Sequence, residues 1–281
     1  MKAISYSLFG YERGRAENCF DFNSYLRGLM INLRMNRLLF PDWTINLQTD
    51  RKTYEAWGSL LDRLPIELEV HQNNVPLTLA MLWRLRPIFD TKDDKWKYTH
   101  VICRDLDSPA TYREAQAVQY WINKDKAAHA ITDSVSHNLP MLGGMIGFRP
   151  DYFSQRLGVH SWRELINKSP NLNWEVKGTD QTFLCEVVYP CFASHGTDSI
   201  TQHYVLGMPN TFLSDYHSKI QDMELDIPYD LKESNSVCGH IGSAGYYETA
   251  MFKFLGKHWD KFEDLLKIEK DYHNIFYWTN Q

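Results

Sequence analysis

The sequence predicts an α/β domain on a mostly parallel sheet, and three observations predict it. Apolar runs of strand length alternate with amphipathic stretches of about 10 to 15 residues through the first half of the chain, the signature of βαβ units. The strand-like runs end in polar or acidic residues, as where Tyr98 to Cys103 gives way to Arg104, Asp105, Leu106 and Asp107. Hydrophobic residues make up 43% and charged residues 23% of 281, an ordinary globular balance that excludes long disorder and suffices for a sizeable core.

The elements follow in order. "KAISYSLFG" reads as a strand. Residues 22 to 40 read as an amphipathic helix, with Leu26, Leu29, Met30, Leu33 and Arg37 at helical spacing and Pro41 closing it. "WTINLQTD" gives a second strand ending in Asp50, "TYEAWGSLLDRL" a helix, and "IELEVH" a third strand. "PLTLAMLWRLRPIF" is predicted as one helix stopped near Pro87, and residues 97 to 103 as the next strand. Beyond residue 130 the pattern loosens. "HNLPMLGGMIGFRP" reads as a glycine-broken strand, "GTDQTFLCEVVYP" as a short helix capped by Thr179 or Asp180, and residues 190 to 245 as loop-rich. The end, from Glu248 to Asn274, reads as helical with a break near Gly256. The expected organisation is a core over residues 1 to 190 and an extension over 191 to 281, packed as one unit.

A net charge of -5 and a pI near 6.1 exclude a global basic field for phosphate backbones. Two local patches remain, Arg27, Arg34 and Arg37 on one helix and Lys92, Lys95 and Lys97 in one loop; a solvated face explains either. No run approaches the ~18 apolar residues of a membrane span, and the amino terminus lacks the apolar core of a signal peptide. The 5 cysteines are scattered and odd in number, which predicts a reducing, cytoplasmic setting. Cys185, Cys191, His195 and His203 match no usual zinc spacing. With 9 Trp and 16 Tyr the chain has aromatics enough for a ligand groove as well as a core.

In parallel sheets ligands bind beyond the carboxyl ends of the strands. Asp50, Asp105 and Asp107 are all expected at such ends. Asp105 and Asp107 repel one another unless a cation sits between them, and Mg²⁺ or Mn²⁺ shared with a substrate's phosphates meets that need. A polar turn with Asp107 capping a helix that starts near Ala110 is the plainer reading of the same residues. Two further stretches attract attention: Asp180 with Gln181 in "GTDQTFL", and His240 among small residues in "SVCGHIGSAG".

Trp83-Arg84, Arg104 to Ser108, Arg113-Glu114, Ala117 to Trp121, His137, and Leu142 to Gly147 follow one another along the chain. In that order they resemble the motifs of the GT-A glycosyltransferases, in particular sugar transferases encoded in bacteriophage and bacterial genomes. The resemblance spans roughly residues 1 to 190 and is densest over 98 to 187. It implies a GT-A fold and a nucleotide-diphosphate-sugar donor, a UDP-sugar first, with hexosyl or pentosyl transfer. It further implies Asp105, Asp107 and His240 as ligands of Mn²⁺ or Mg²⁺, and Asp105 with Asp180 as the catalytic carboxylates. Ser7, Phe9, Gly10 and Asp50 would line the nucleoside; Gly143, Gly144 and Gln181 would meet the donor sugar; Arg84 and Arg104 would bind the donor, and the basic contact near its phosphates is either missing or supplied by Arg84, Arg104, Arg113 or Arg149. One departure is "ITDSVSHN", where relatives carry Arg-Asp-His-Pro: Asp133 remains, but Thr132 replaces the Arg and Ser134-Val135 the His-Pro pair. The acceptor expected from the resemblance is a glycan or a hydroxylated base in DNA. A metal-dependent hydrolase or phosphotransfer enzyme, or an inactive sugar-nucleotide binding module, are the competing readings; the P-loop motif is absent.

Overall fold

The computed structural model describes residues 1–11, 22–108, 110, 112–132, 139–195 and 199–204. Asp133, His137, His240 and the expected carboxyl-terminal helices lie outside the described residues.

Strand β1 (Lys2–Leu8) is followed by α1 (Phe22–Leu39), β2 (Trp43–Asp50), α2 (Arg51–Leu61) and β3 (Glu67–His71). The period-2 alternation of β1 sends Ile4, Tyr6 and Leu8 into one core with Leu26, Leu29, Met30 and Leu33 of α1, and Ala3 into another. Helix α1 ends just before Pro41, which has no N–H to continue it. Helix α2 starts at once after β2 because Asp50, in extended conformation, caps it: its Oδ1 accepts from the Thr53 amide at 2.7 Å.

The predicted helix over 76 to 89 is two pieces. α3 (Leu77–Met81) passes into a 3₁₀ segment, Leu82–Phe89, which carries Trp83, Arg84 and Pro87. A short hairpin, β4 (Thr91–Lys92) and β5 (Lys95–Trp96), leads into β6 (His100–Arg104). Then come α4 (Tyr112–Lys124), β7 (Ala128–Thr132), β8 (Met145–Phe148), α5 (Pro150–Leu157) and α6 (Trp162–Ile166). The chain continues through α7 (Thr179–Phe183), a π-helical turn (Leu184–Val188), α8 (Tyr189–Ala193) and β9 (Ile200–Tyr204).

The main sheet has seven strands in the order β3-β2-β1-β6-β8-β7-β9. Four pairings are parallel, β1 with β2, β1 with β6, β2 with β3 and β7 with β9; β8 alone runs against its neighbours β6 and β7. This is the mostly parallel α/β architecture that the alternation predicts. The order turns back between β1 and β6, since β2 and β3 lie to one side of β1 and the later strands to the other. A crevice outside the carboxyl ends of β1 and β6 is where such a sheet holds ligands. One core packs α1, α2 and α4 on one face, and the other packs the 3₁₀ segment, α5, α7 and α8 on the opposite face. Among the described residues no helix is long and apolar enough to cross a membrane.

Candidate functional site

The parity of four parallel strands builds the site. Phe9 past β1, Gln48 in β2, His71 at the end of β3, and Cys103 with Asp105 at the end of β6 all meet the 3₁₀ segment. Phe9 packs edge-on against Trp83 with ring centroids 5.8 Å apart, and His71 lies 4.6 Å from the same indole. His71 Nε2 and Gln48 Oε1 are hydrogen-bonded at 2.7 Å, and the Cys103 thiol donates to Arg84 O at 3.3 Å. Arg84 is buried; its Nε donates to Met81 O at 2.6 Å and its guanidinium is ion-paired with Asp105. The Asp105 side chain keeps 43% exposure, so the pair stands at the floor of an open rim.

Three carboxylates share this end of the sheet. Burial first, and then the Asp105 charge, push Asp107 up to about 7. Asp180, at the start of α7, is buried and also raised: burial dominates, Arg84 opposes it, and Asp105 adds to it. Burial acts against the charge of Arg84, but Asp105 and then Asp180 outweigh it and hold the guanidinium above its usual value. Arg84 is therefore the cation between two acids, and Asp107 is the carboxylate with the least compensation. Gln181 Nε2 donates to Asp180 Oδ2 at 3.3 Å. Gly143 and Gly144 close the site from the loop before β8, Gly144 directly against the Asp105 carboxylate and Gly143 beside Arg84 and Gln181.

Other expected site residues take different positions. Asp50 gives one oxygen to its helix cap and the other to the Gly10 amide at 2.6 Å, tying the end of β1 to β2. Gly10 adopts φ 80, a conformation glycine takes without strain. The Ser7 hydroxyl is buried with no hydrogen-bond partner among the described residues. Arg104, expected beside the donor phosphates, is fully buried on the far face. It pairs with Glu114 at 2.9 Å and donates to Gly144 O at 3.3 Å and Ser108 O at 3.1 Å, so it props the acidic turn from behind. Helix α7 is capped by Gly178 at φ 88 with no side-chain bond, so neither Thr179 nor Asp180 is its cap, and α4 begins at Tyr112. Sequence reasoning passed over Gln48 and His71. Strand alternation is the signal that finds them, since it places both on the face of Asp50 and Asp105.

Among the described residues no group of three or more His, Cys, Asp or Glu side chains is arranged to hold a metal ion. Asp105 and Asp107 are oxygen donors of the kind that hold a hard divalent cation by one or two carboxylates, and burial together with the Asp105 charge raises the proton affinity of Asp107, the change a cation there would reverse. Of the two cysteines and two histidines in the zinc-like set, Cys185 and Cys191 are free cysteines.

No family model matches the chain, and no curated protein does. Solved structures similar to it include a 4-diphosphocytidyl-2C-methyl-D-erythritol synthase from Anaerococcus prevotii, at 9% identity and TM-score 0.43, covering 84% of this chain and 94% of that one. A protein of Desulfovibrio desulfuricans named for nucleotide-diphospho-sugar transfer has 14% identity and TM-score 0.41, over 72% and 79%. Mouse xyloside xylosyltransferase 1 has 11% identity and TM-score 0.38, over 80% and 95%. Likenesses this distant carry no argument about chemistry, and the reading of the site rests on its own residues.

Proposed function

We propose that the chain is a metal-dependent glycosyltransferase that moves a sugar from a nucleotide-diphosphate sugar, a UDP-sugar first, to a hydroxyl acceptor. The observation that carries this is the convergence of Asp105, Asp107, Arg84 and Asp180 at the carboxyl end of β6, beside the point where the strand order turns back. A bound divalent cation would neutralise the charge that develops on the leaving diphosphate. Asp105 and Asp107 are the residues that would hold it, and His240 is retained as a third ligand on the resemblance alone. Phe9, half-buried past the end of β1 and packed on the buried Trp83, would offer an apolar face to a nucleoside.

In the transfer, the bond from the anomeric carbon to the diphosphate breaks and one to the acceptor oxygen forms. The acceptor's proton goes to Asp180, whose raised proton affinity suits it as a base. Gln181 steadies that carboxylate. The acceptor is a glycan before it is DNA: Lys92, Lys95 and Lys97 precede β6, and Lys97 pairs at 2.6 Å with Glu67 at the start of β3, so the lysines stand at the rim away from Asp105.

The test is a thermal-shift panel of nucleotide sugars with Mn²⁺ or Mg²⁺, with Asp107→Ala alongside. A cation-dependent rise for one donor, lost in the variant, supports the reading. No rise for any donor sinks it, and turnover with water as sole acceptor moves it to a hydrolase.

A further inference from the structure

Asn32 sits in the middle of α1, fully buried, where an amide weakens the helix and costs free energy unless its groups are bonded. All of them are. Its Nδ2 donates to Gly28 O at 3.0 Å, one turn back, and reaches Leu106 O and Ser108 O, each at 3.1 Å. Its Oδ1 accepts from the Ala110 amide at 2.9 Å. Three of the four contacts therefore cross to one short segment, the turn that begins after Asp105 and contains Asp107. Arg104 Nη2 donates to the same Ser108 carbonyl at 3.1 Å, so that oxygen is held by two donors.

The turn needs such a clamp. Asp105 and Asp107 repel, Asp107 is pressed into a half-buried place, and the described residues from Asp105 to Ser108 belong to no strand or helix. We infer that Asn32 is a positioning residue for the acidic site: its carboxamide fixes the backbone of Leu106, Ser108 and Ala110 and thereby holds Asp107 beside Asp105. This rests on the reading of the two aspartates as the cation and diphosphate site. A residue that only filled the core would send its bonds into the core. Asn32 sends them to the turn.

The experiment compares wild type with Asn32→Asp and Asn32→Leu. Asp is isosteric and still accepts from Ala110, but it has no protons for the Leu106 and Ser108 carbonyls; Leu removes both functions. Folding is followed by urea denaturation, and site integrity by titration with Mn²⁺ and UDP. Exchange of the Ala110 amide in metal-free wild type reports the clamp without any ligand. The expected result is a slow Ala110 amide in wild type, fast in Asn32→Leu, which has no acceptor for it, and Mn²⁺·UDP binding at least about tenfold weaker in folded Asn32→Asp. Wild-type binding matched by a folded Asn32→Asp overturns the inference and leaves the glycosyltransferase reading standing. Failure of wild type to bind UDP or any other nucleoside diphosphate with Mn²⁺ overturns that reading and this one with it. An unprotected Ala110 amide in wild type, or loss of folding in both variants, overturns the inference by itself.

Discussion

Gly144 lies so close to Asp105 that a β-carbon at position 144 would fall 1.9 Å from Asp105 Oδ2 and 2.4 Å from its Cγ. Asp105 has a short side chain and is ion-paired with buried Arg84, so it cannot swing away without breaking that pair. Gly144→Ala is expected to displace the carboxylate, cost about 1–3 kcal/mol by overpacking, and abolish the cation-dependent thermal shift. Gly143→Ala is the contrast. The nearest atoms to a β-carbon there are at 3.5 Å, an ordinary contact, so its urea midpoint should stay near wild type. Equal stability losses at the two positions would show that the close approach does not govern residue 144.

The Arg104–Glu114 pair is 1% and 2% exposed, with nitrogen and oxygen 2.9 Å apart. Removing one partner of such a pair leaves a buried charge uncompensated. Glu114→Ala is expected to destabilise the fold by roughly 3–5 kcal/mol in urea denaturation and to loosen the acidic turn that Arg104 props through Ser108 O. A loss under about 1 kcal/mol would place the pair among interactions that contribute little.

Much of this was legible where local signals agreed with tertiary ones. The strand over Trp43–Asp50 and the helix over Phe22–Leu39 follow from alternation, helical spacing and Pro41, and the acidic end of β6 is visible as an apolar run meeting Asp105 and Asp107. β7 and β9 were not legible. Ala128–Thr132 is buried on both faces and shows no alternation, and Ile200–Tyr204 finds its place only by pairing with it. The passage from α3 into a 3₁₀ segment is likewise invisible to periodicity, although Pro87 lies inside the segment. Arg104 shows the limit for site residues. Sequence gives its neighbours, Asp105 and Asp107, but strand parity points its side chain to the opposite face, toward Glu114.

Arg84 compensates Asp105 directly and Asp180 through space. Arg84→Leu leaves both acids without that cation. The proton affinity of Asp180 in the folded state then rises further above that of the unfolded chain, so stability should fall as pH rises through the carboxylate range and beyond. The expected loss is about 1.5–3 kcal/mol near neutrality, the scale of a hydrogen bond to a charged group, and smaller near pH 5. Urea midpoints at the two pH values check it. A loss of the same size at both would mean that packing of the arginine stem, not its charge, is what matters.

His71 gives the pH dependence of the opposite sign. Its ring is held at about 4, first by burial, then by the Arg86 charge, with Glu69 opposing. The unfolded chain takes up this proton near the usual histidine value of about 6.5, whereas the folded chain resists it until about 4. Stability contributed by the neutral ring is therefore complete above about 6.5 and lost as the pH falls toward 4. His100, also held at about 4, works in the same direction. Asp90, pushed by burial up to about 6, works against both. His71→Phe keeps an aromatic ring for Trp83 and removes the titration while leaving His100 and Asp90 as they are. Near pH 7 it should be the less stable protein, by about 1–3 kcal/mol, because the buried Gln48 amide loses its partner. Between about pH 7 and pH 5 its urea midpoint should fall less than that of wild type, because the side chain at position 71 no longer titrates. Parallel declines in the two proteins would show that His71 titrates at the same pH folded and unfolded, and that the ring is not shielded at the end of β3.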